Sequence, residues 1–177
     1  MASYEHAQPA DHRVIAASLS AVRADSRTDL AARALSVARS TALGVLGDHA
    51  AAEDVAQEVA IVAVQRARSL RDPAKLDAWL HKVAVRKAID ETRRRKRRET
   101  VELTEAHHPA QEPLEQALAL LAPLPPRQRA ALTLRYVHDL PDDAIARALG
   151  CRPATVRSLL SRGREALRQT LEAEDDR

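Results

Sequence analysis

The stretch from residue 142 to residue 160, DDAIARALGCRPATVRSLL, holds the pattern that most restricts how this chain can fold. Apolar side chains at helical spacing lie on both sides of a short interruption that contains Gly150 and Pro153. Glycine readily adopts the left-handed conformation that ends many helices, and proline fits the first turn of the next helix. The spacing therefore predicts two short helices that meet across a tight turn, which is the helix-turn-helix arrangement.

The second predicted helix has two chemically different faces. Its inner seam consists of Val156, Leu160, Gly163 and Leu167. Its outer face carries hydrogen-bond donors and cations and no carboxylate before Glu165: Thr155, Arg157, Ser158, Ser161, Arg162 and Arg164. A helix that reads DNA needs such groups for base edges and phosphates. A helix pair of this kind can also be purely structural, but this outer face favours DNA binding.

Residues 79–98, WLHKVAVRKAIDETRRRKRR, form a second informative stretch. Leu80, Val83, Ala84 and Ala88 recur at helical spacing and predict an amphipathic helix, with Trp79 as a core residue. The six consecutive basic residues 93–98 end the stretch. A helix packed by one face with a free cationic end suits a phosphate backbone, and the alternative is a solvated basic tail. We expect His81 to lie at the surface or to face DNA.

The composition points to an all-α fold. The chain has only three aromatic side chains, no Phe and four Gly, and its apolar residues are chiefly Ala, Leu and Val. Strand-like clusters of β-branched and aromatic residues are missing from the sequence, which favours helices. Periodicity predicts helices over about 14–22, 30–46, 50–68, 79–98, 114–121 and 127–138, with a break rich in capping residues at 25–29.

The helical periodicity stops after the basic run. Residues 99–115 contain five Glu and no Lys or Arg, and Pro109 and Pro113 interrupt the stretch. This composition predicts a flexible acidic linker between two small helical domains. We therefore divide the chain into a disordered N-terminus (1–11), a first domain (12–98), a linker (99–113) and a second, helix-turn-helix domain (114–177).

Several functional classes find no support in the sequence. With four Gly there is no glycine-rich phosphate loop, and the adjacent His107 and His108 lack a third ligand nearby, so we expect no cofactor, no metal and no catalytic activity. The single Cys151 allows no intrachain disulfide. No apolar stretch is long enough for a signal peptide or a transmembrane helix, so we expect no membrane insertion and a cytoplasmic protein.

One face of the predicted helix 50–68 is unusual. It carries acids and amides around an aliphatic side chain: Asp54, Gln57, Glu58, Ile61 and Gln65. An interface mixes an apolar centre with a polar rim, so this face fits a protein contact. An ordinary amphipathic helix with one stray apolar residue explains the pattern about equally well.

Three blocks of sequence resemble extracytoplasmic-function sigma factors of bacterial RNA polymerase. LGDHAAAEDVAQEVAIVAV (46–64) and DAWLHKVAVRKAIDETRRRKRR (77–98) resemble sigma region two, and LPPRQRAALTLRYVHDLPDDAIARALGCRPATVRSLLSRGREALRQTL (124–171) resembles region four. The resemblance implies a factor that binds core polymerase, directs it to promoters and assists melting. The alternatives are a helix-turn-helix regulator that acts on duplex DNA without polymerase, a helical interaction protein such as a sigma-like decoy or an anti-sigma partner, and, more distantly, a nucleic-acid enzyme.

The resemblance also implies residue roles. Binding to the β′ clamp helices of the core polymerase would fall to Asp54, Gln57, Glu58 and Ile61. The minus-ten element would be contacted by Lys82, Arg86, Lys87, Arg93, Arg94 and Arg97. The minus-thirty-five element would be contacted by Arg152, Thr155, Arg157, Ser158, Ser161 and Arg162. The β flap, promoter DNA and an anti-sigma factor are the further partners that the resemblance implies.

The chain departs from the family pattern at several of these positions. Val85 stands where a basic residue is common, and Arg86 stands where Asn is common. Arg152 replaces a helix-capping Ser, which would cost about 1 kcal/mol. Gly163 replaces Ala inside a helix, at a cost of up to ~1 kcal/mol unless close packing requires it.

Overall fold

The computed structural model describes residues 9–66, 73–99 and 113–175, with side chains described within 27–66, 75–98 and 113–172. These ranges contain helices and no strand, which confirms the all-α prediction. The helices are α1 (Pro9–Leu46), α2 (His49–Gln65), α3 (Pro73–Glu99), α4 (Pro113–Ala119), α5 (Pro126–Tyr136), α6 (Asp142–Leu149) and α7 (Pro153–Asp175). We call α1–α3 the N-terminal bundle and α4–α7 the C-terminal bundle.

The N-terminal bundle packs through small side chains. Gly47, with φ of 68°, turns the chain after α1, and the Asp48 carboxylate then accepts a 2.8 Å hydrogen bond from the Ala51 N–H at the start of α2. The three helices share a buried core that is rich in alanine: Ala34, Ala38, Ala42, Ala52, Ala56, Val59, Ala63, Leu80, Ala84 and Ala88. Small side chains let helix backbones approach closely, so the bundle is dense without aromatic residues.

The structure corrects the sequence prediction at the N-terminus. The break expected at 25–29 is wrong, because α1 continues through these residues as a single helix. Asp, Ser and Thr favour helix ends but are tolerated inside a helix, and this stretch contains neither Gly nor Pro to stop one. Helix α1 also includes residues 9–11, which were expected to be disordered, and residues 1–8 lie outside the described part.

The C-terminal bundle contains the predicted helix-turn-helix. Gly150 has φ of 61° and ψ of 45°, and the Cys151 N–H donates to the Ala146 carbonyl at 3.0 Å, so α6 ends in the expected left-handed cap. Helix α7 then begins at Pro153. A Cβ at Gly163 would lie 2.9 Å from Leu132 Cδ1 on α5. Close packing between α5 and α7 therefore explains the glycine at this helical position.

The two bundles pack directly against each other, which the sequence analysis did not predict. Helix α1 contacts α4 and α5, and α3 contacts α5 and α6. Buried apolar residues of both bundles form one continuous cluster. The acidic segment expected to act as a flexible linker falls largely on residues 100–112, which lie outside the described residues.

Candidate nucleic-acid and polymerase interfaces

The N-terminal half of α7 presents the polar face predicted for DNA contact. Val156 and Leu160 are buried and fix the rotation of the helix. As a result, the predicted minus-thirty-five residues are all exposed: Arg152, Thr155, Arg157, Ser158, Ser161 and Arg162. The Arg157 guanidinium lies 3.8 Å from the Asp142 carboxylate of α6. Asp142 also accepts from Arg135, so the start of the first helix of the pair is tied to both α5 and α7.

Arg164, which the sequence spacing grouped with the predicted DNA contacts, is turned toward α5. Its guanidinium donates to the Tyr136 hydroxyl at 3.4 Å. The two side chains lie on an apolar groove of about 590 Å³ whose floor includes Leu118, Leu132 and Leu167. The exposed cations of α7 therefore divide between the recognition face and this groove, which we call the α4–α5–α7 groove.

Helix α3 carries the predicted minus-ten cations, and we call the exposed ones the cationic row of α3. Five of them are exposed: Lys82, Arg86, Arg93, Arg94 and Arg97. Arg86 and Arg93 lie 3.9 Å and 3.5 Å from the Asp90 carboxylate, and Arg94 lies 3.7 Å from Glu91. These exposed pairs add little stability, but they restrict the side-chain directions along one helix.

Two residues of the cationic stretch serve the fold as well. Lys87 is half-buried and its Nζ donates to the Glu58 carboxylate of α2 at 2.5 Å. Arg95 donates to the Asp48 carboxylate at 3.0 Å and lies 3.6 Å from Glu91. Arg95 therefore links α3 to the start of α2, and Lys87 links α3 to the outer face of α2.

The expectation for His81 is wrong. His81 is only 7% exposed, and its ring packs against His138 of the C-terminal bundle. Val85 lies one turn further along α3 and is 1% exposed. Helix α3 contacts α5 and α6 of the C-terminal bundle, and both His81 and Val85 are buried although they lie beside the apolar seam of their own bundle. Burial there explains why Val85 replaces a basic residue.

The mixed face of α2 is exposed as predicted. Asp54, Gln57 and Glu58 are solvent-accessible, and Ile61 is 58% exposed. The apolar side of α2 is meanwhile filled by Val55, Val59 and Ala63. Ile61 is therefore an aliphatic side chain on the solvent face of a helix whose packing side is already complete.

Sequence reasoning missed two polar residues that shape the C-terminal bundle, one of them buried and the other half-buried. Arg129 is buried on α5, donates to the Ala122 carbonyl at 3.2 Å, and has its pKa lowered by burial. His138 follows α5 just before Asp139, whose φ of 49° is unusual for a residue with a side chain. No local pattern marks either residue, because their burial depends on helices distant in sequence.

The described part of the chain contains neither a candidate metal-binding cluster nor a candidate membrane-spanning helix. Among its His, Cys, Asp and Glu residues, no group of three or more could hold a metal ion. None of its helices is long and apolar enough to cross a membrane.

Comparison with known families assigns both halves of the chain. Residues 30–98 match sigma-70 region 2, and residues 114–167 match sigma-70 region 4. The helix-turn-helix lies inside the second match, and the cationic α3 lies inside the first. The fold and its exposed faces therefore define a sigma factor built from regions 2 and 4.

Individual relatives show to which family of sigma factors the chain belongs. The chain is 35% identical over 142 residues to the ECF RNA polymerase sigma factor SigL of Mycobacterium tuberculosis, covering 74% of this chain and 80% of that protein. It is 33% identical over 138 residues to the ECF RNA polymerase sigma factor SigE of Mycolicibacterium smegmatis, covering 71% of this chain. The chain belongs to the extracytoplasmic-function family of RNA polymerase sigma factors. It spans about half (53%) of the length of the M. smegmatis protein.

A solved structure is also similar. It is the co-crystal structure of the sigma factor RpoE with the anti-sigma factor NepR from Bartonella quintana, with a TM-score of 0.69 and 27% sequence identity. The match covers 84% of this chain and 97% of that one.

Proposed function

We propose that this protein binds core RNA polymerase, directs it to a set of promoters and assists opening of the minus-ten region. The observation that carries the proposal is that one chain presents three separate exposed surfaces. These are the recognition face of α7, the cationic row of α3 and the mixed face of α2 around Ile61. A regulator that acts without polymerase would need the first surface but not the other two.

The recognition face would read the minus-thirty-five element in the major groove. Arg152 immediately precedes α7 and Thr155 lies in its first turn, while Ser161 and Arg162 lie two turns further along. A helix inserted by its N-terminal half would place the first pair near base edges and the second pair near phosphates. A good bidentate contact from Arg to a base contributes about 1–3 kcal/mol of discrimination.

The cationic row would hold the minus-ten region. Arg86, Arg93 and Arg94 face solvent beside Asp90 and Glu91, so phosphates can displace these weak helix pairs. Such contacts favour the separated strand without a catalytic step, and we propose no enzymatic activity for the chain. Lys87 would contribute less than its neighbours, because it is already paired with Glu58.

Two surfaces would bind the core polymerase. The clamp helices of β′ would bind the α2 face formed by Asp54, Gln57, Glu58 and Ile61, with the aliphatic side chain at its centre. The β flap would dock in the α4–α5–α7 groove, where leucine side chains line the floor and Arg164 and Arg168 lie at the side. An anti-sigma factor is a further proposed partner, in keeping with the B. quintana complex.

A pull-down with core polymerase and a promoter-binding assay test the proposal together. We expect Asp54→Ala combined with Gln57→Ala to lower core affinity at least tenfold and to leave DNA binding by the free protein unchanged. Asp29→Ala combined with Ser36→Ala is the matched control, since it removes an exposed acid and an exposed uncharged polar side chain from α1, away from the mixed face of α2. Equal core affinity for the two double variants would show that the clamp face is assigned incorrectly.

Run-off transcription separates the alternatives for the unmodified protein. A sigma factor gives promoter-dependent transcripts with core enzyme. A sigma-like decoy binds core without giving transcripts, and a regulator of the ordinary helix-turn-helix kind does not bind core at all.

A further inference from the structure

Two imidazole rings meet where the bundles pack together. His81 lies on α3 and His138 follows α5, and their ring centroids are 4.7 Å apart with the planes at 73°. His81 is buried and His138 is partly buried. The pair therefore joins α3, which carries the predicted minus-ten cations, to the segment between α5 and α6, which leads into the helix-turn-helix.

The hydrogen bonds identify the donating nitrogen of each ring. The His81 Nδ1–H donates to the Asp77 carbonyl at 2.8 Å, so in the neutral ring Nε2 carries the lone pair. That Nε2 is buried and has no hydrogen-bond partner. The Thr41 hydroxyl donates its one hydrogen to the Val37 carbonyl at 2.7 Å, so the His138 Nε2–H donates to Thr41 at 2.9 Å.

The surroundings do not compensate a positive charge on the pair. From α1, the neutral hydroxyls of Ser40 and Thr41 face His138, and the Arg33 cation acts on His81. From α3, the carboxylate of Asp77 favours a charged His81, but it is already paired with Arg33 at 2.6 Å. From the C-terminal bundle, the ring that faces His81 is His138 itself, whose own protonation would add a like charge.

The same environment lowers both pKa values. Burial, and then the nearby His81, lower the pKa of His138 from 6.5 to about 4. Burial lowers the pKa of His81, while the bond to the Asp77 carbonyl and the Asp77 charge partly oppose that effect. Once the bundles separate, each ring gains water and its pKa returns toward 6.5.

We propose that His81 and His138 form a protonation-sensitive latch that holds the two bundles together when both rings are neutral and releases them when the rings take up protons. The latch goes beyond the proposed function and does not depend on it. If the proposed function holds, the latch controls access to promoters. The minus-ten and minus-thirty-five elements lie roughly 85 Å apart on duplex DNA. The two bundles are in direct contact when docked, so they would have to separate to reach both elements at once.

The direction of the effect follows from proton linkage. A histidine whose pKa is lower in the docked state stabilises docking above pH 6.5 and loses that contribution as the pH falls toward the docked-state value. For His138, values of about 4 docked and 6.5 separated raise the ratio of separated to docked protein about tenfold between pH 7.5 and pH 5.5. Protonation of His81 adds to this increase.

Intramolecular fluorescence transfer in the full chain tests the latch without DNA or polymerase. One dye is attached to Cys151 on the C-terminal bundle and the other to a Gln65→Cys variant at the exposed end of α2. Transfer is followed in increasing urea at pH 7.5 and pH 5.5, with far-UV circular dichroism to separate bundle opening from unfolding. We expect the separated-to-docked ratio, extrapolated to zero urea, to be at least tenfold higher at pH 5.5.

Matched variants identify the titrating groups. His81→Asn and His138→Gln keep the donors used by Nδ1 and Nε2 but cannot be protonated, so the double variant should lose the pH response. His138→Lys should separate the bundles already at pH 7.5. His49→Gln changes an exposed histidine of α2 and should leave the response intact. An unaltered pH response in the double variant, or none in the unmodified chain, would overturn the latch.

Discussion

Thr133 of α5 lies directly over Gly44 of α1, so that a Cβ built at residue 44 would fall within 3.0 Å of three Thr133 side-chain atoms. Both residues are buried, and Thr133 is fixed by its own 2.9 Å hydrogen bond to the Arg129 carbonyl. Since Gly44 belongs to the N-terminal bundle and Thr133 to the C-terminal bundle, the absence of one methyl group allows the bundles to dock at this distance.

Gly44→Ala should therefore weaken docking more than it weakens either bundle. Overpacking of a dense contact costs about 1–3 kcal/mol, while alanine gains up to about 1 kcal/mol in helix propensity, so we expect a net loss at the contact. The fluorescence-transfer assay should show more separated protein at pH 7.5. Gly163→Ala is the matched control, because its clash is with Leu132 within the C-terminal bundle. A Gly44→Ala protein that remains as fully docked as the unmodified chain would contradict this reading of the contact.

Arg162→Ala and Arg164→Ala should differ in their effect on DNA, although they remove the same charge from the same helix. Arg162 is exposed on the recognition face, whereas Arg164 donates to Tyr136 at the α4–α5–α7 groove. Loss of one phosphate contact should weaken promoter binding severalfold and reduce the magnitude of the salt slope by about one. Binding isotherms of the free protein on promoter duplex at several salt concentrations measure this, because polymerase docking at the α4–α5–α7 groove does not enter the measurement. Equal losses for the two variants would mean that Arg164 also contacts DNA.

Asp48 should contribute to stability in a pH-dependent way. Burial by itself would raise its pKa, but the Ala51 N–H and the Arg95 guanidinium outweigh burial and lower the pKa below 3.8. Its stabilising effect is therefore fully present above pH 3.8 and is lost as the pH falls through the lowered value. We expect Asp48→Ala to cost about 1 kcal/mol at pH 7, or a few degrees in Tm, because the N-cap of α2 is lost.

Asp48→Asn is the control for the charge in that site. It keeps a side-chain oxygen for the Ala51 N–H and loses the ionic contact with Arg95. We expect it to be more stable than Asp48→Ala at pH 7, and its deficit relative to the unmodified protein should shrink below pH 3.8. Thermal unfolding monitored from pH 7 to pH 3 measures the stability of both variants relative to the unmodified protein. If the stability deficit of Asp48→Asn grew as the pH fell, the predicted direction of the pH effect would be wrong.

The helical class, the helix-turn-helix with its Gly150 cap, and the exposed faces of α2 and α7 could all be predicted from the sequence. Each of these follows from local rules: periodicity places apolar residues on one side, and glycine or proline marks a helix end. The exposure of Ile61 and Arg162 and the conformation of Gly150 therefore follow from the residues around them, and the assignment of the two exposed side chains to polymerase or DNA remains a proposal.

The contacts between the two bundles could not be predicted from the sequence, because they depend on tertiary packing. His81 has the sequence neighbours of a surface residue, and Gly44, Thr133 and His138 carry no recognisable pattern. Their roles depend on groups about 50 to 100 positions away in the chain. The apolar periodicity of a helix marks the side that packs within its own bundle. It does not mark another side that a second bundle covers. For that reason the burial of His81 and Val85, and the latch inferred from it, follow from the docking of the two bundles and from no local pattern in the chain.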